Sequence, residues 1–269
     1  MSDDALDLAM DRAHSARMYD FYLGGITNFP ADREAAAKAL AAFPSAPIAA
    51  RLNRRFMHRS TRYLAAELGI RQFLDIGTGI PTSPNLHEIA QEVVPSARVV
   101  YIDNDPIVLA HARALLRSHP DGTTTYVEAD ARDPQRILDH PTLRTTLDFA
   151  EPIGVSLIAL LHFLPDEEAA HTVVDEVKKA LPSGSTLAIS HATPDFAPEA
   201  IAQVTRAYAA VGTHVRPRTR DEVHRLFTGW DLLSPGLVPT HRWHPDPDDP
   251  MLTITDADAS CYAAVARKP

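Results

Sequence analysis

Three carboxylates and two glycines carry the strongest chemical signal in this sequence. Asp75, Gly77 and Gly79 stand in "FLDIGTGIPT" at the end of an apolar run, Asp103 ends "VVYIDNDP", and Asp130 ends "VEADARD". Glycines at 77 and 79 let the chain turn sharply after a strand and bring its backbone against a ligand without interference from a Cβ. An acid about 20 residues past such a loop suits the two hydroxyls of a ribose. Asp103 is placed for that role, Asp130 for an adenine amino group and Asp75 for a positive charge on the ligand. Each has a plainer use: Asp103 or Asp105 suits N-capping of a helix beginning near Pro106, and Asp130 suits a polar loop. Jointly, three acidic strand ends on one edge of a sheet point to a cofactor site, because open α/β sheets bind ligands there.

The loop chemistry narrows the cofactor. A dinucleotide fingerprint would put a third glycine at position 82, which is Thr82. Pyrophosphate also uses N–H groups at the following helix start, yet Pro81 and Pro84 have none to give. A ligand without phosphates fits better, and S-adenosylmethionine has an adenine, a ribose and a zwitterionic methionine end. Thr78, Asn104, Ala131 and Leu160 flank the strand ends and are counted with this site. The helix after the loop is expected to start near Thr82 or Ser83, with Pro84 in its first turn.

Groups for methyl-transfer chemistry should follow the fourth and fifth strands. His162 and His191 do so, and an imidazole suits a general base near neutrality. Packed, structural histidines are the plainer reading of both. With Asp195 they raise the question of a metal, but no close His pair or cysteine pair supports one, and none is expected. Tyr19, Tyr22, Gly24, Gly25 and Asn28 in "YDFYLGGITNF" suit a lid that closes over cofactor, or else aromatic core anchors around a turn. Arg51, Arg55, His58, Arg59 and Arg62 recur at helical spacing, as a solvated face or as arginine forks for an anionic substrate. Arg216, Arg218 and Arg220 pose the same alternative.

Positioning these groups requires a sheet. Apolar β-type runs recur at 71–76, 97–103, 123–129, 153–160 and 185–191, with helical stretches between most of them. That rhythm predicts a doubly wound, mostly parallel α/β sheet. "WDLLSPGLV" reads as a sixth strand and "CYAAVARK" as a seventh, paired antiparallel because no helix separates them. "ADREAAAKALAAF" and "APIAARLNRRFMHRSTRYLAAEL" read as helices, whereas "RMYDFYLGGITNFP" shows no clean period. Residues 1–70 are therefore expected to form a helical cap and residues 71–269 the cofactor-binding domain.

The chain of 269 residues carries a formal charge of −9. An acidic balance argues against nucleic acid as the partner of the whole chain. "MSDDALDLAMDRAH" has no signal-peptide pattern, and no apolar run reaches membrane-spanning length, so a cytoplasmic protein without a membrane partner is expected. The one cysteine, Cys261, rules out a disulfide framework and reads as a small buried side chain.

"RMYDFYLGGITNFPADRE", "QFLDIGTGIPT", "VVYIDNDPIVLAHARALL" and "RTRDEVHRLFTGWDLLSPGLV" together resemble an actinobacterial family of S-adenosylmethionine-dependent methyltransferase-like proteins, over nearly the whole chain. The resemblance implies a seven-stranded class I methyltransferase fold and a cofactor site at Asp75, Gly77, Gly79, Asp103 and Asp130. It implies no substrate and no oligomeric state. Three functions stay open: methyl transfer to a small molecule, non-catalytic sensing of S-adenosylmethionine or its demethylated product, and a nicotinamide oxidoreductase. Thr82, Pro81 and the final strand pair disfavour the last.

Overall fold

The structure, a computed structural model, describes residues 10–115, 117–246 and 254–269. The expectations for the first nine residues lie outside the described residues. Three helices come first: α1 (Ser15–Tyr22), α2 (Pro30–Ala42) and α3 (Ala46–Ala66). Alternation follows, with β1 (Gln72–Ile76), α4 (Leu86–Val93), β2 (Arg98–Asp103), α5 (Pro106–Leu115) and β3 (Thr123–Glu128). Two short helices, α6 (Pro134–Leu138) and α7 (Pro141–Thr146), lead to β4 (Gly154–Ile158), α8 (Glu167–Ala180) and β5 (Thr186–Ala192). The chain then forms α9 (Pro198–Ala209), α10 (Arg220–Arg225), β6 (Asp231–Leu232), β7 (Val238–Pro239), α11 (Asp256–Ala259) and β8 (Cys261–Arg267).

The strands line up in the order β3-β2-β1-β4-β5-β8-β6, with β7 also on β8. The first five run parallel, and β8 is antiparallel to β5, as are β6 and β7 to β8. Strand order reverses beside β1, whose neighbours are β2 and β4, and that is the switch point where such sheets open a crevice. Neighbouring side chains of one strand feed opposite layers. Leu74 joins Ile102, Leu157 and Val174 on one face; Phe73 joins Phe56, Leu86 and Trp243 on the other. Burial on both faces explains why these strands read as continuous apolar runs.

Three local expectations are corrected. The sixth strand is two short pieces, β6 and β7, because Ser234-Pro235-Gly236 turns the chain between them and Gly236 N–H donates back to Leu233 O at 2.8 Å. The helix after the glycine loop starts at Leu86, not near Thr82. Asn85 is its N-cap, and Glu88 accepts from the Asn85 N–H in a capping box. Pro84 thus precedes the helix. Finally, "SARMYDFY" is a helix, α1, capped by the His14 side chain. Its period is hidden because Arg17 and Asp20 occupy buried positions where a hydrophobic residue would be expected.

The last half of α3 packs under the sheet through Phe56, Met57, Leu64 and Ala65. By contrast, α1 and α2 meet α9 above the strand ends, where Met18, Tyr22, Ala35, Ala39 and Tyr208 form a separate apolar cluster. Arg17 fastens this layer to the sheet by donating Nε to Asp105 Oδ2 at 3.1 Å. No helix among the described residues is long and apolar enough to cross a membrane.

Candidate functional site

A cavity of about 670 Å³ lies along the C-terminal edge of the sheet, between the strand ends and the layer formed by α1 and α9. Asp75, Gly77, Thr78, Gly79, Asp103, Asn104, Asp130, Ala131 and Leu160 all line it, so the structure brings the cofactor candidates of four strands together. Tyr19, Tyr22 and His162 line it as well. Gly24 and His191 do not.

Gly77 and Gly79 have φ of +75° and +68°, in the left-handed region that favours glycine. A Cβ on Gly77 would lie 2.6 Å from Leu160 Cδ1, while the space over Gly79 is open. The turn is held by Gly77 N–H donating to Ile102 O at 2.8 Å and by Asp103 Oδ2 accepting from Gly79 N–H at 2.8 Å. Asp103 Oδ1 accepts from Asp105 N–H at 2.9 Å, so one carboxylate ties the first loop to the second. Burial raises the Asp103 carboxyl above its usual range, against those two N–H donors. The N-cap role falls to Asp105, whose Oδ1 accepts from Ile107 N–H at 2.9 Å.

Asp75 is buried beside Thr78, whose hydroxyl donates to it at 2.9 Å. Burial pushes its carboxyl up to about 6, against the opposing pull of Thr78 and the charge of Arg54. Asp130 is the opposite case. Hydrogen bonds from Arg132 hold it down to about 2, and Asn104 Nδ2 donates to it at 3.2 Å. It therefore faces the cavity ionised and already bonded.

Two cavity groups carry no signal strong enough to single them out in the sequence. Asn53 Nδ2 donates to Tyr19 Oη at 2.9 Å, and Tyr19 donates in turn to Ala50 O at 2.9 Å. The Asn53 side-chain oxygen is buried with no partner. Next to it, Arg54 donates to the carbonyls of Thr82 and Pro84, and both residues line the cavity. On a helix rich in arginine, neither stands apart from a solvated face. The arginines the sequence does single out go elsewhere: Arg59 is buried under Trp243 O and Thr240 O, and Arg62 pairs with Glu92. His58 Nε2 donates to Pro84 O at 2.9 Å, and burial with the Arg54 charge lowers its pKa to about 4.

The histidines divide. His191 is fully buried; its Nδ1 pairs with Ala192 O at 2.8 Å, and its Nε2 lies 3.0 Å from the Arg218 guanidinium. Nε2 must accept there, so Nδ1 carries the proton and both nitrogens are occupied. Burial, then the neighbouring His162, depress its pKa far below the ordinary value. His191, expected as a general base, thus lies outside the cavity with both ring nitrogens engaged in the fold. Arg218 is also fully buried and donates to Leu161 O and Leu164 O, while Arg216 pairs with Glu167 and Glu222. These arginines form no fork in the cavity. His162 does face it, lowered to about 3 by burial and then Arg218. Its Nδ1 accepts from Ala192 N–H at 3.4 Å, which leaves the proton of the neutral ring on Nε2.

Asp195 accepts from Arg220 N–H and Tyr262 Oη, and among the described residues no three potential metal ligands converge. Cys261 lines the cavity with its thiol pushed up to about 12 by burial. The lid candidates are also sorted. Tyr22 Oη lies 3.3 Å from Tyr208 Oη, which joins α1 to α9. The Gly24-Gly25 turn serves the fold: a Cβ on Gly25 would fall 2.0 Å from Asp20 Oδ1, and Asn28 donates to the same carboxylate at 2.7 Å.

A family model described as S-adenosyl methyltransferase matches residues 2–269. The structure is similar to that of a DUF574 family protein from Streptomyces avermitilis, with 51% identity, 97% of this chain and 100% of that one covered, and a TM-score of 0.94. A Thermobifida fusca protein, provisionally named a methyltransferase, is 38% identical over 100% of this chain and 99% of its own, with a TM-score of 0.90. Human N-acetylserotonin methyltransferase, solved with S-adenosylmethionine, shares the fold alone: 15% identity, 83% and 56% covered, TM-score 0.50. No curated protein matches.

Proposed function

We propose methyl transfer to a small organic acceptor, on the premise that this chain belongs to the S-adenosyl methyltransferase family. It is an S-adenosylmethionine-dependent methyltransferase, and that reading displaces the sensor and oxidoreductase alternatives.

The cavity residues fit this cofactor. The orphaned Asn53 oxygen and the Asp75 carboxylate are two acceptors for an α-ammonium, and Arg54, bonded only to carbonyls, can receive an α-carboxylate. Asp103 keeps acceptor capacity for ribose hydroxyls, since each carboxylate oxygen takes two bonds and each is using one. At the adenine end, Asp130 holds a full negative charge beside Ala131. When bound, S-adenosylmethionine would supply a sulfonium methyl to an acceptor lone pair, with S-adenosylhomocysteine as the leaving group and any acceptor proton passing to solvent. The chain's part is to hold both reactants in line and keep water out.

The observation that supports a small acceptor is the roof. Met18, Tyr22 and Tyr208 join α1 and α9 over the strand ends, and the space left beneath them supports an acceptor of small size. The test is to incubate the protein and methyl-labelled S-adenosylmethionine with a fractionated actinobacterial extract. Label should enter the low-mass fraction and need this protein. Label confined to protein or RNA would refute a small acceptor.

A further inference from the structure

The cavity is longer than the adenosyl site. Its floor runs from Asp130 after β3 to Ala192 at the end of β5 and Cys261 at the start of β8. With strands spaced about 4.8 Å apart, β3 to β5 alone spans about 19 Å. The carboxylates that suit the cofactor sit on β1, β2 and β3. The part above β4, β5 and β8 has a different chemistry.

Its walls are Phe163, Val204, Tyr208, Val215 and Tyr22, which belong to one apolar cluster. The two phenols answer each other at 3.3 Å, so they offer ring surface to the cavity more than hydroxyl. Among the described residues Asp166 is the one carboxylate lining this part, and it is engaged as N-cap of α8, accepting from Glu168 N–H at 2.9 Å. No lysine or arginine of the described residues lines it: Arg216 pairs with two glutamates, and Arg218 lies buried behind His191. His162, with its Nε2 proton, and His214 are the remaining polar groups of note.

An anionic acceptor entering here would lose its water and meet no counter-charge, and a cationic one would meet only Asp166, already engaged in capping α8. A flat, uncharged one would exchange water for aromatic and branched side chains, the usual lining of small-molecule sites. We propose that this half of the cavity receives an uncharged, ring-bearing acceptor, its apolar face on Phe163, Val204 and Tyr208. This rests on the methyltransferase reading above and replaces the anionic substrate that the arginine spacing implies.

The experiment begins by titrating the protein with S-adenosylhomocysteine. The saturated complex is then titrated with three probes of one shape: 2-naphthol, 2-naphthoate and 2-(aminomethyl)naphthalene. At neutral pH the uncharged naphthol should bind about tenfold or more tightly than the anion or the cation. Val204→Asp should weaken naphthol binding by about tenfold and leave S-adenosylhomocysteine affinity within about twofold. The charge series uses the unaltered protein, so it decides the matter even where V204D does not fold. Equal or tighter binding of either ion, or no naphthol binding to a complex that holds S-adenosylhomocysteine, would overturn the proposal. A protein that takes up no S-adenosylhomocysteine would refute the cofactor reading first, and the acceptor proposal with it.

Discussion

Arg218 donates to His191 Nε2 at 3.0 Å, and neither side chain reaches the cavity. The pair sits beneath the loop after β4, where Arg218 also gathers the carbonyls of Leu161 and Leu164. His191→Ala should therefore act on stability and not on chemistry. Losing a buried partner of a charged donor costs about 1–3 kcal/mol. Urea unfolding should show that loss, while calorimetry on the folded variant should return an unchanged affinity for S-adenosylhomocysteine. A large drop in turnover at unchanged stability would restore His191 to the chemistry.

Asp103 makes a different prediction, because it faces the cavity and braces the loop at once. Asp103→Ala should weaken cofactor binding by about 1–3 kcal/mol, the scale of a lost buried hydrogen-bond partner. Asp103→Asn keeps a carbonyl for one N–H and should fall between. Affinity by calorimetry checks both, and an unaltered value in Asp103→Ala would remove it from the ribose site.

These two residues also mark how far the sequence is legible. The ends of β1, β2 and β3 can be read because their signals are local: glycines that need positive φ, and acids within two residues of a strand end. His191 cannot be read that way. Its role depends on Arg218, far along the chain, which looks like a solvated arginine until the fold buries it. α1 escapes for a related reason, since Arg17 and Asp20 spoil its period by pairing inside the protein. Asn53 and Arg54 are lost in a crowd of polar residues on α3, and only the approach of that helix to Asp75 distinguishes them. The sheet itself is legible because burial on both faces makes each strand an apolar run.

The Gly77 loop should fail under the smallest substitution. Ala at a φ of +75° costs about 1–2 kcal/mol in backbone alone, before its Cβ meets Leu160. Relief requires Leu160 to move into the cavity, so Gly77→Ala should lose cofactor affinity as well as stability. Gly79→Ala meets no protein atom, so it should lose less stability, although its Cβ would stand where the backbone meets the ligand. Paired thermal melts and titrations of the two variants would test this; equal losses of stability would contradict it.

Asp75 sets a pH dependence whose sign differs for binding and for folding. Its carboxyl stands at about 6 in the folded chain, above its ordinary 3.8. A cationic ammonium prefers the ionised form, so S-adenosylmethionine affinity should fall as pH drops through about 6, approaching about tenfold per unit below it. For the unliganded fold the protonated form is favoured. Its contribution to stability is full below about 3.8 and lost as pH rises through about 6. Asp75→Asn should flatten both profiles, and an unaltered binding profile in that variant would assign the titration elsewhere.

Asn53 and Arg54 can be separated from the rest of the site by the shape of the ligand. S-adenosylhomocysteine carries the amino-acid end, and 5′-methylthioadenosine lacks it while keeping adenine, ribose and sulfur. If Arg54 receives the carboxylate, Arg54→Ala should weaken S-adenosylhomocysteine by about 1.5–3 kcal/mol, the range for a bond to a charged group, and leave methylthioadenosine unaffected. Asn53→Ala should do the same on a smaller scale, since it removes an uncharged oxygen that now has no partner. Arg54 also donates to Thr82 O and Pro84 O, so it holds the loop as well. If that were its whole contribution, both ligands would weaken together, and parallel titrations of the two would show it.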